Sequence, residues 1–297
     1  MERISTSMLL AAACVRHARR DRDPAVQRDA VLARACLQGC GAAGQRLLWA
    51  VDHAFGRLLL RMAEALYLPG IGAHYAWRKR HIRRWALQAC TQADAGRARQ
   101  VVMLGAGFDG LSLHLLARAP TLRAFEIDRA HSVAIKRAAL AQIGADDPRL
   151  TLVAADLARE PIEAALRAMP GFEPGIATLV IAEGVLMYLA PDDLRALMRG
   201  LARTLPQAQL IATAMALRAD ATPGFARQRP WVGGWLRRAG EPFRWGASRA
   251  GLDASLREAG IELHCVADPQ TPADPDPSPG EWVFAGSLMP AADGEHR

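Results

Sequence analysis

Apolar residues recur at helical spacing over residues 25–38, 45–68 and 73–89, with Gly39-Cys40-Gly41 and Pro69-Gly70 as interruptions. Hardly anything in the first 95 residues reads as strand, so a helical N-terminal region is predicted over 1–95. From residue 100 the rhythm changes. Short apolar runs at 101–105, 122–127, 150–154, 177–182 and 208–214 alternate with helical patterns at 109–118, 131–142, 160–168 and 191–203. Such alternation predicts parallel βαβ units and an α/β fold with a doubly wound, mostly parallel sheet. Ligands on such sheets bind beyond the carboxyl ends of the strands. The polar residues that follow the runs are Gly105 to Asp109, Asp128, Asp156 and Glu183, and these become the candidate site.

After residue 216 the pattern loosens. The segment 221–246 is rich in Gly, Pro, Arg and Trp and reads as a cap inserted into a domain that spans 96–297. A helix is expected at 248–259, stopped by Gly260, and closing strands at 261–266 and 282–287. Between those strands, 268–280 carries five prolines and reads as an exposed loop; the tail from 290 reads as disordered.

Composition narrows the function classes. Half of the 297 residues are apolar, enough for a full core, yet charges break every long apolar run; Asp52, His53, Arg57, Arg61 and Glu64 interrupt 47–68. A membrane span is therefore not expected. The run Met8 to Val15 faintly resembles a signal segment, but Glu2 stands where positive charge belongs, so a helix of the folded domain is expected instead. The net charge of +7 comes almost wholly from arginine, Lys79 and Lys136 being the two lysines. The arginines are scattered apart from 16–22 and 78–84, which argues against a nucleic-acid partner. Five cysteines without CxxC spacing suggest reduced thiols, a cytoplasmic protein and no metal site.

The chemistry starts at Val101-Val102-Met103-Leu104-Gly105-Ala106-Gly107-Phe108-Asp109-Gly110. An apolar strand runs into a glycine turn that brings bare backbone N–H groups near a ligand, and a helix follows. About twenty residues on, Phe125-Glu126-Ile127-Asp128 places an acid to bond ribose hydroxyls. Read literally, Gly105-x-Gly107-x-x-Gly110 fits a nicotinamide or flavin enzyme. Methyltransferases that use S-adenosylmethionine begin in a similar way. Two features favour them: the helical region that precedes the motif, and Asp109 in the turn. A carboxylate there repels a pyrophosphate but suits a sulfonium and an ammonium. Asp128 and Asp156 also stand at helix starts, where each would serve as a cap, and Arg80 would also suit a solvated helix face.

The chain resembles the leucine carboxyl methyltransferase family, whose bacterial branch includes polyketide-type O-methyltransferases. The resemblance rests on Val102 to Asp109, on Phe125 to Asp128 with Lys136 behind them, and on Ala155-Asp156-Leu157. It continues through Ile181-Ala182-Glu183-Gly184-Val185-Leu186-Met187-Tyr188-Leu189 and Glu241 to Gly246. It implies a class I methyltransferase fold and S-adenosyl-L-methionine as cofactor. Gly105, Gly107 and Asp109 would lie at the methionine part and Asp128 at the ribose. Asp156 would meet the adenine amino group with the Leu157 backbone beside it, and Glu183 would sit near the reacting methyl. Arg80 would grip the cofactor carboxylate, and Arg16 is a looser second basic contact. The family usually follows the turn with Asp-Thr-Arg, whereas this chain has Asp109-Gly110-Leu111, which removes whatever that pair contacts.

The reaction implied is an in-line methyl transfer to a carboxylate or a phenol/enol oxygen of a small molecule, with no metal. An ionised carboxylate needs no base, whereas a phenol with a pKa near 10 does. His114 and His131 are candidate bases, but surface roles suit them better. Trp231, Trp235, Phe243, Trp245 and Tyr188 could wall an acceptor pocket or simply pack. A protein C-terminal carboxyl methyltransferase and an NAD-dependent oxidoreductase remain as alternatives.

Overall fold

A computed structural model describes residues 5–92, 96–206, 208–267 and 280–290. Among the described residues eight strands form one sheet, seven of them in the order β3-β2-β1-β4-β5-β8-β7 and the short β6 beside β5. They are β1 (Gln100–Leu104), β2 (Arg123–Asp128), β3 (Leu150–Ala154), β4 (Thr178–Ala182), β5 (Gln209–Ala216), β6 (Gly246–Ala247), β7 (Ile261–Ala267) and β8 (Glu281–Leu288). The first five run parallel, and β8 enters antiparallel between β5 and β7. The chain reverses direction across the sheet between β1 and β4, so β1 to β4 end together at one edge. That switch point is where an α/β sheet leaves a crevice. β1 and β4 are buried along their whole length, which explains their apolar sequence after Gln100 and Thr178.

The helices are α1 (Thr6–Ala18), α2 (Pro24–Gly39), α3 (Gly41–Asp52), α4 (Ala54–Tyr67), α5 (Ile71–Thr91), α6 (Leu111–Arg118), α7 (Ala130–Gln142), α8 (Ile162–Arg167), α9 (Pro191–Thr204), α10 (Pro230–Ala239) and α11 (Leu252–Glu258). Two apolar layers cover the sheet. One joins Phe125, Val180, Leu210 and Phe284 to α8, α9 and α11. The other joins Val101, Met103 and Ile181 to α6 and to Trp77, Ile82 and Ala86 of α5. Thus α5, the last helix of the N-terminal region, is itself a sheet-covering helix. A third cluster, with Met8, Leu32, Leu37, Leu47 and Phe108, ties α1 to α3 onto this body.

Several expectations need correction. The apolar pattern over 45–68 is two helices, because His53 is extended (φ −93°, ψ 143°) and starts α4 at a new angle. The helix expected from 109 begins at Leu111, since Asp109 is spent on the turn and its Oδ1 accepts the Leu111 N–H at 3.1 Å. Within the segment 221–246 lies α10, begun by Pro230 and closed by Gly240 in the left-handed region. Met8 to Val15 lies inside α1, with Met8, Ala11, Ala12, Cys14 and Val15 buried. No helix among the described residues is long and apolar enough to cross a membrane. The proline-rich stretch lies almost entirely, and the tail beyond 290 wholly, outside the described residues.

Candidate cofactor and acceptor site

A cavity of about 710 Å³ opens at the carboxyl ends of β1 to β4. Gly105, Gly107, Asp109, Asp128, Asp156, Leu157, Glu183 and Tyr188 all line it. These residues lie far apart in sequence, and the parallel topology brings them to one edge.

The glycine turn is tight for specific reasons. Gly105 has φ +60°, and a Cβ there would stand 2.5 Å from Val185 Cγ2, so no other residue fits without movement. Its N–H donates to the Ile127 carbonyl at 2.8 Å. Gly107, at φ +50°, donates its N–H to Asp128 Oδ2 at 2.7 Å, and the Arg129 N–H donates to Oδ1 at 2.7 Å. The acid at the end of β2 is thus locked against the turn at the end of β1. Asp156 accepts the Ala158 N–H on Oδ1 at 3.1 Å, capping its own turn while it faces the cavity.

At the β4 side the cavity wall is charged. Lys79 Nζ bridges Asp109 Oδ2 at 2.7 Å and Glu183 Oε2 at 2.9 Å. Arg78 Nε stands 2.9 Å from Glu183 Oε1, and its Nη1 donates to Glu281 Oε2 at 2.8 Å. His74 Nε2 meets the same Glu281 oxygen at 2.8 Å. Burial pushes Glu281 up, but Arg78 and His74 more than offset it and hold the carboxyl at about 2. Burial likewise raises Asp109, yet Lys79 leaves it below the usual carboxylate range. Three carboxylates here face two permanent cations, so the wall tolerates added positive charge. Arg78 Nη2 is buried without a hydrogen-bond partner.

The other side is apolar. Tyr188 stacks on Phe243 with ring centroids 5.7 Å apart, and Met187, Met215 and Phe225 pack beside them. Burial raises the Tyr188 hydroxyl well above its ordinary value, so it stays neutral. The segment 221–246 is tied to the start of α1 and to the end of β2: Glu241 Oε2 accepts the Thr6 N–H at 3.2 Å and also the Thr6 hydroxyl, while Arg129 Nη2 reaches Glu241 Oε1 at 3.2 Å.

Other expected residues lie elsewhere. Arg80 is exposed on the outer face of α5 and does not line the cavity; the helix turns Arg78 and Lys79 inward instead. Arg16 pairs with Glu64 at 2.6 Å, outside the lining. Trp245 is a core residue, packed with Ala247, Leu252 and Phe284, whereas Trp235 and Phe243 line the cavity and Trp231 is exposed. His114 is buried off the site and held at about 4 mainly by burial; His131 is exposed. All five cysteines are free, and no group of metal-ligating side chains occurs among the described residues.

Sequence reasoning missed Lys79, Arg78, Glu281 and Asp29. The one signal for the first two was the phase of α5, where His74, Tyr75 and Arg78 share a face with Ile82. Asp29 shows no motif at all. It lines the cavity from α2, pairs with Arg83, and is raised to about 6 by burial and by Asp109, with Arg83 opposing.

The leucine carboxyl methyltransferase family model matches residues 7–202, two thirds of the chain. The chain belongs to the leucine carboxyl methyltransferase family. A Streptomyces avermitilis protein, provisionally named an S-adenosyl-L-methionine-dependent methyltransferase, is 36% identical over 161 residues, 49% of this chain and 55% of that protein. A Mycolicibacterium gilvum protein with the same provisional name is 42% identical over 103 residues, 34% of this chain and 33% of that one. The match thus spans about half or less of these relatives. A crystal structure of a provisionally titled methyltransferase from Thermobifida fusca shares the fold, with a TM-score of 0.53 at 17% identity over 80% of this chain and 90% of that one.

S-adenosylmethionine is the cofactor of this family of methyltransferases, and the cavity fits it. A Cβ at Gly105 would close the cradle, Asp128 ends β2 against the glycine turn, and the excess of carboxylates suits a cationic ligand.

Proposed function

We propose that this chain transfers the methyl group of S-adenosylmethionine to a carboxylate or a phenol/enol oxygen of a small molecule. The observation that carries this reading is the division of one cavity into a charged half at the strand ends and an apolar, aromatic half under a tied cap.

Bound S-adenosylmethionine supplies an electrophilic methyl carbon on a sulfonium. Gly105 and Gly107 leave room for its methionine part, Asp128 takes the ribose hydroxyls, and Asp156 with the Leu157 backbone takes the adenine. Lys79 and Arg78 stand where a carboxylate needs a cation. Glu183 faces the reacting end, and Tyr188 with Phe243 walls the acceptor and excludes water. Alignment of the acceptor oxygen and a dry wall are the main contributions available to such residues. The neutral Tyr188 hydroxyl is a poor base, and Lys79 is held protonated by Asp109 and Glu183 despite its burial. That combination favours an acceptor oxygen that is already ionised.

The test is a screen of small carboxylic acids and acidic phenols for methylated product by mass spectrometry. Methyl esters or ethers formed at the expense of S-adenosylmethionine support the reading. Turnover confined to protein C-termini would replace it with protein carboxyl methylation, and binding of NAD with no response to S-adenosylhomocysteine would overturn it.

A further inference from the structure

The helix α4 presents an apolar stripe to solvent. Phe55, Leu58, Leu59, Met62 and Leu66 are all exposed, Phe55 at 63% and Met62 at 60%, and the one fully buried residue of the helix is Gly56. Gly56 lies against the Ala50 backbone, so α4 rests on α3 by its small face and turns its large residues outward. At the C-terminal end the surface continues through Tyr67 to Trp231 of α10, with ring centroids 6.2 Å apart. An ordinary helix of a folded chain buries such a stripe, so this one is left without its partner.

We propose that this face is a homodimer interface in which α4 packs antiparallel on α4 of a second copy about a two-fold axis. The stripe is self-complementary. Phe55, Leu59, Met62 and Leu66 follow one another at steps of four, three and four, a sequence that reads the same in either direction. A two-fold axis between Leu59 and Met62 therefore sets Phe55 against Leu66 and Leu59 against Met62, twice over. The same axis sets the large Leu58 against the small Ala63. Isologous pairing demands this kind of symmetry from a surface.

Charge is arranged to permit it. Arg57 turns back onto the carbonyls of Val51 and Asp52, and Glu64 is held by Arg16. Arg61 projects more than a quarter turn from the line of Phe55, Leu59, Met62 and Leu66 at about 100° per residue, on the flank beside Leu58. Two copies thus meet without like charges at the seam. A helix that lies on a membrane instead carries a strongly cationic polar face, and here the opposite face of α4 is occupied by α3. The area is also adequate. The five stripe residues offer on the order of 500 Å² per copy, and Tyr67 with Trp231, each about half exposed, extends the rim towards the roughly 800 Å² per partner of a stable interface.

The test is sedimentation equilibrium of the full chain between micromolar and hundred-micromolar concentration, beside the double variant Leu59→Glu/Met62→Glu. The expected result is a wild-type mass twice the 32.1 kDa of one chain, and a variant whose dissociation constant rises at least a hundredfold. Far-UV circular dichroism should stay unchanged, because the replaced side chains face solvent in the single chain, whereas Tm should lose the concentration dependence that dimerisation gives the wild type. A wild type that stays monomeric throughout overturns the proposal, as does a folded variant that still dimerises. Flotation of monomeric wild type with phosphatidylserine vesicles, lost in the variant, would overturn it in favour of a lipid surface.

Discussion

The carboxylate of Asp29, on α2, occupies the space that Gly110 leaves by having no Cβ. It falls where this chain departs from the family's Asp-Thr-Arg turn. A hydroxyl-bearing residue at 110 would collide with Asp29, which Arg83 reaches from α5.

Gly110→Thr is therefore expected to destabilise the protein by about 1–3 kcal/mol, the usual cost of overpacking a filled site. Asp29→Ala in the same chain should recover part of that loss. Urea denaturation of the two single variants and the double variant measures the coupling, and strict additivity would show that the two side chains do not compete.

Asp128 is locked to Gly107 by a 2.7 Å bond and faces the cavity. Asp128→Ala should weaken S-adenosylhomocysteine at least tenfold in calorimetric titration, with the fold retained. An unchanged dissociation constant would move the ribose away from the end of β2.

The basic residues of α5 give opposite expectations at neighbouring positions. Arg80→Ala should leave S-adenosylhomocysteine affinity within twofold, because Arg80 points away from the cavity. Lys79→Met should weaken it tenfold or more, since it also frees Asp109 and Glu183 to repel each other. The reverse ranking would place the cofactor carboxylate on the outer face of the helix.

Glu281 gives a pH dependence with a definite sign. Its folded pKa of about 2 lies below the ordinary value of 4.5, so its ionised form stabilises the fold above pH 4.5. That contribution is lost as pH falls from 4.5 towards 2. Glu281→Gln leaves Arg78 and His74 short of a buried partner and should cost about 3–5 kcal/mol at pH 7. The gap between variant and wild type should narrow on acidification, which thermal melts at pH 7, 5 and 3 would follow.

Trp245 and Tyr188 separate packing from binding. Trp245→Ala should cost about 3–5 kcal/mol of stability, as deletion of a buried aromatic does. Tyr188→Phe should keep both Tm and S-adenosylhomocysteine affinity and alter the KM of the acceptor. A Tyr188→Phe variant with wild-type kinetics on every acceptor would remove the hydroxyl from the acceptor wall.

Much of this molecule was legible in the chain. Strands such as Gln100–Leu104 and Thr178–Ala182 are apolar after their first residue because the sheet buries both faces, and the glycines at 105 and 107 mark the turn because both take a positive φ. Local pattern therefore determined the α/β alternation, the helical N-terminal region, the glycine turn and the acids that end β2 and β4. It fixed less of what depends on direction. Periodicity did not show that His53 breaks a continuous apolar pattern, or that Arg78 and Lys79 rather than Arg80 face inward. The tertiary structure alone decided those points, together with the Glu281 bridge to Arg78 and His74, the fit of Asp29 at Gly110 and the outward stripe of α4. The physical reason is that each of them is a contact between elements. A sequence pattern reports how a segment divides water from core, whereas the partner across the gap is chosen only when the whole chain is packed.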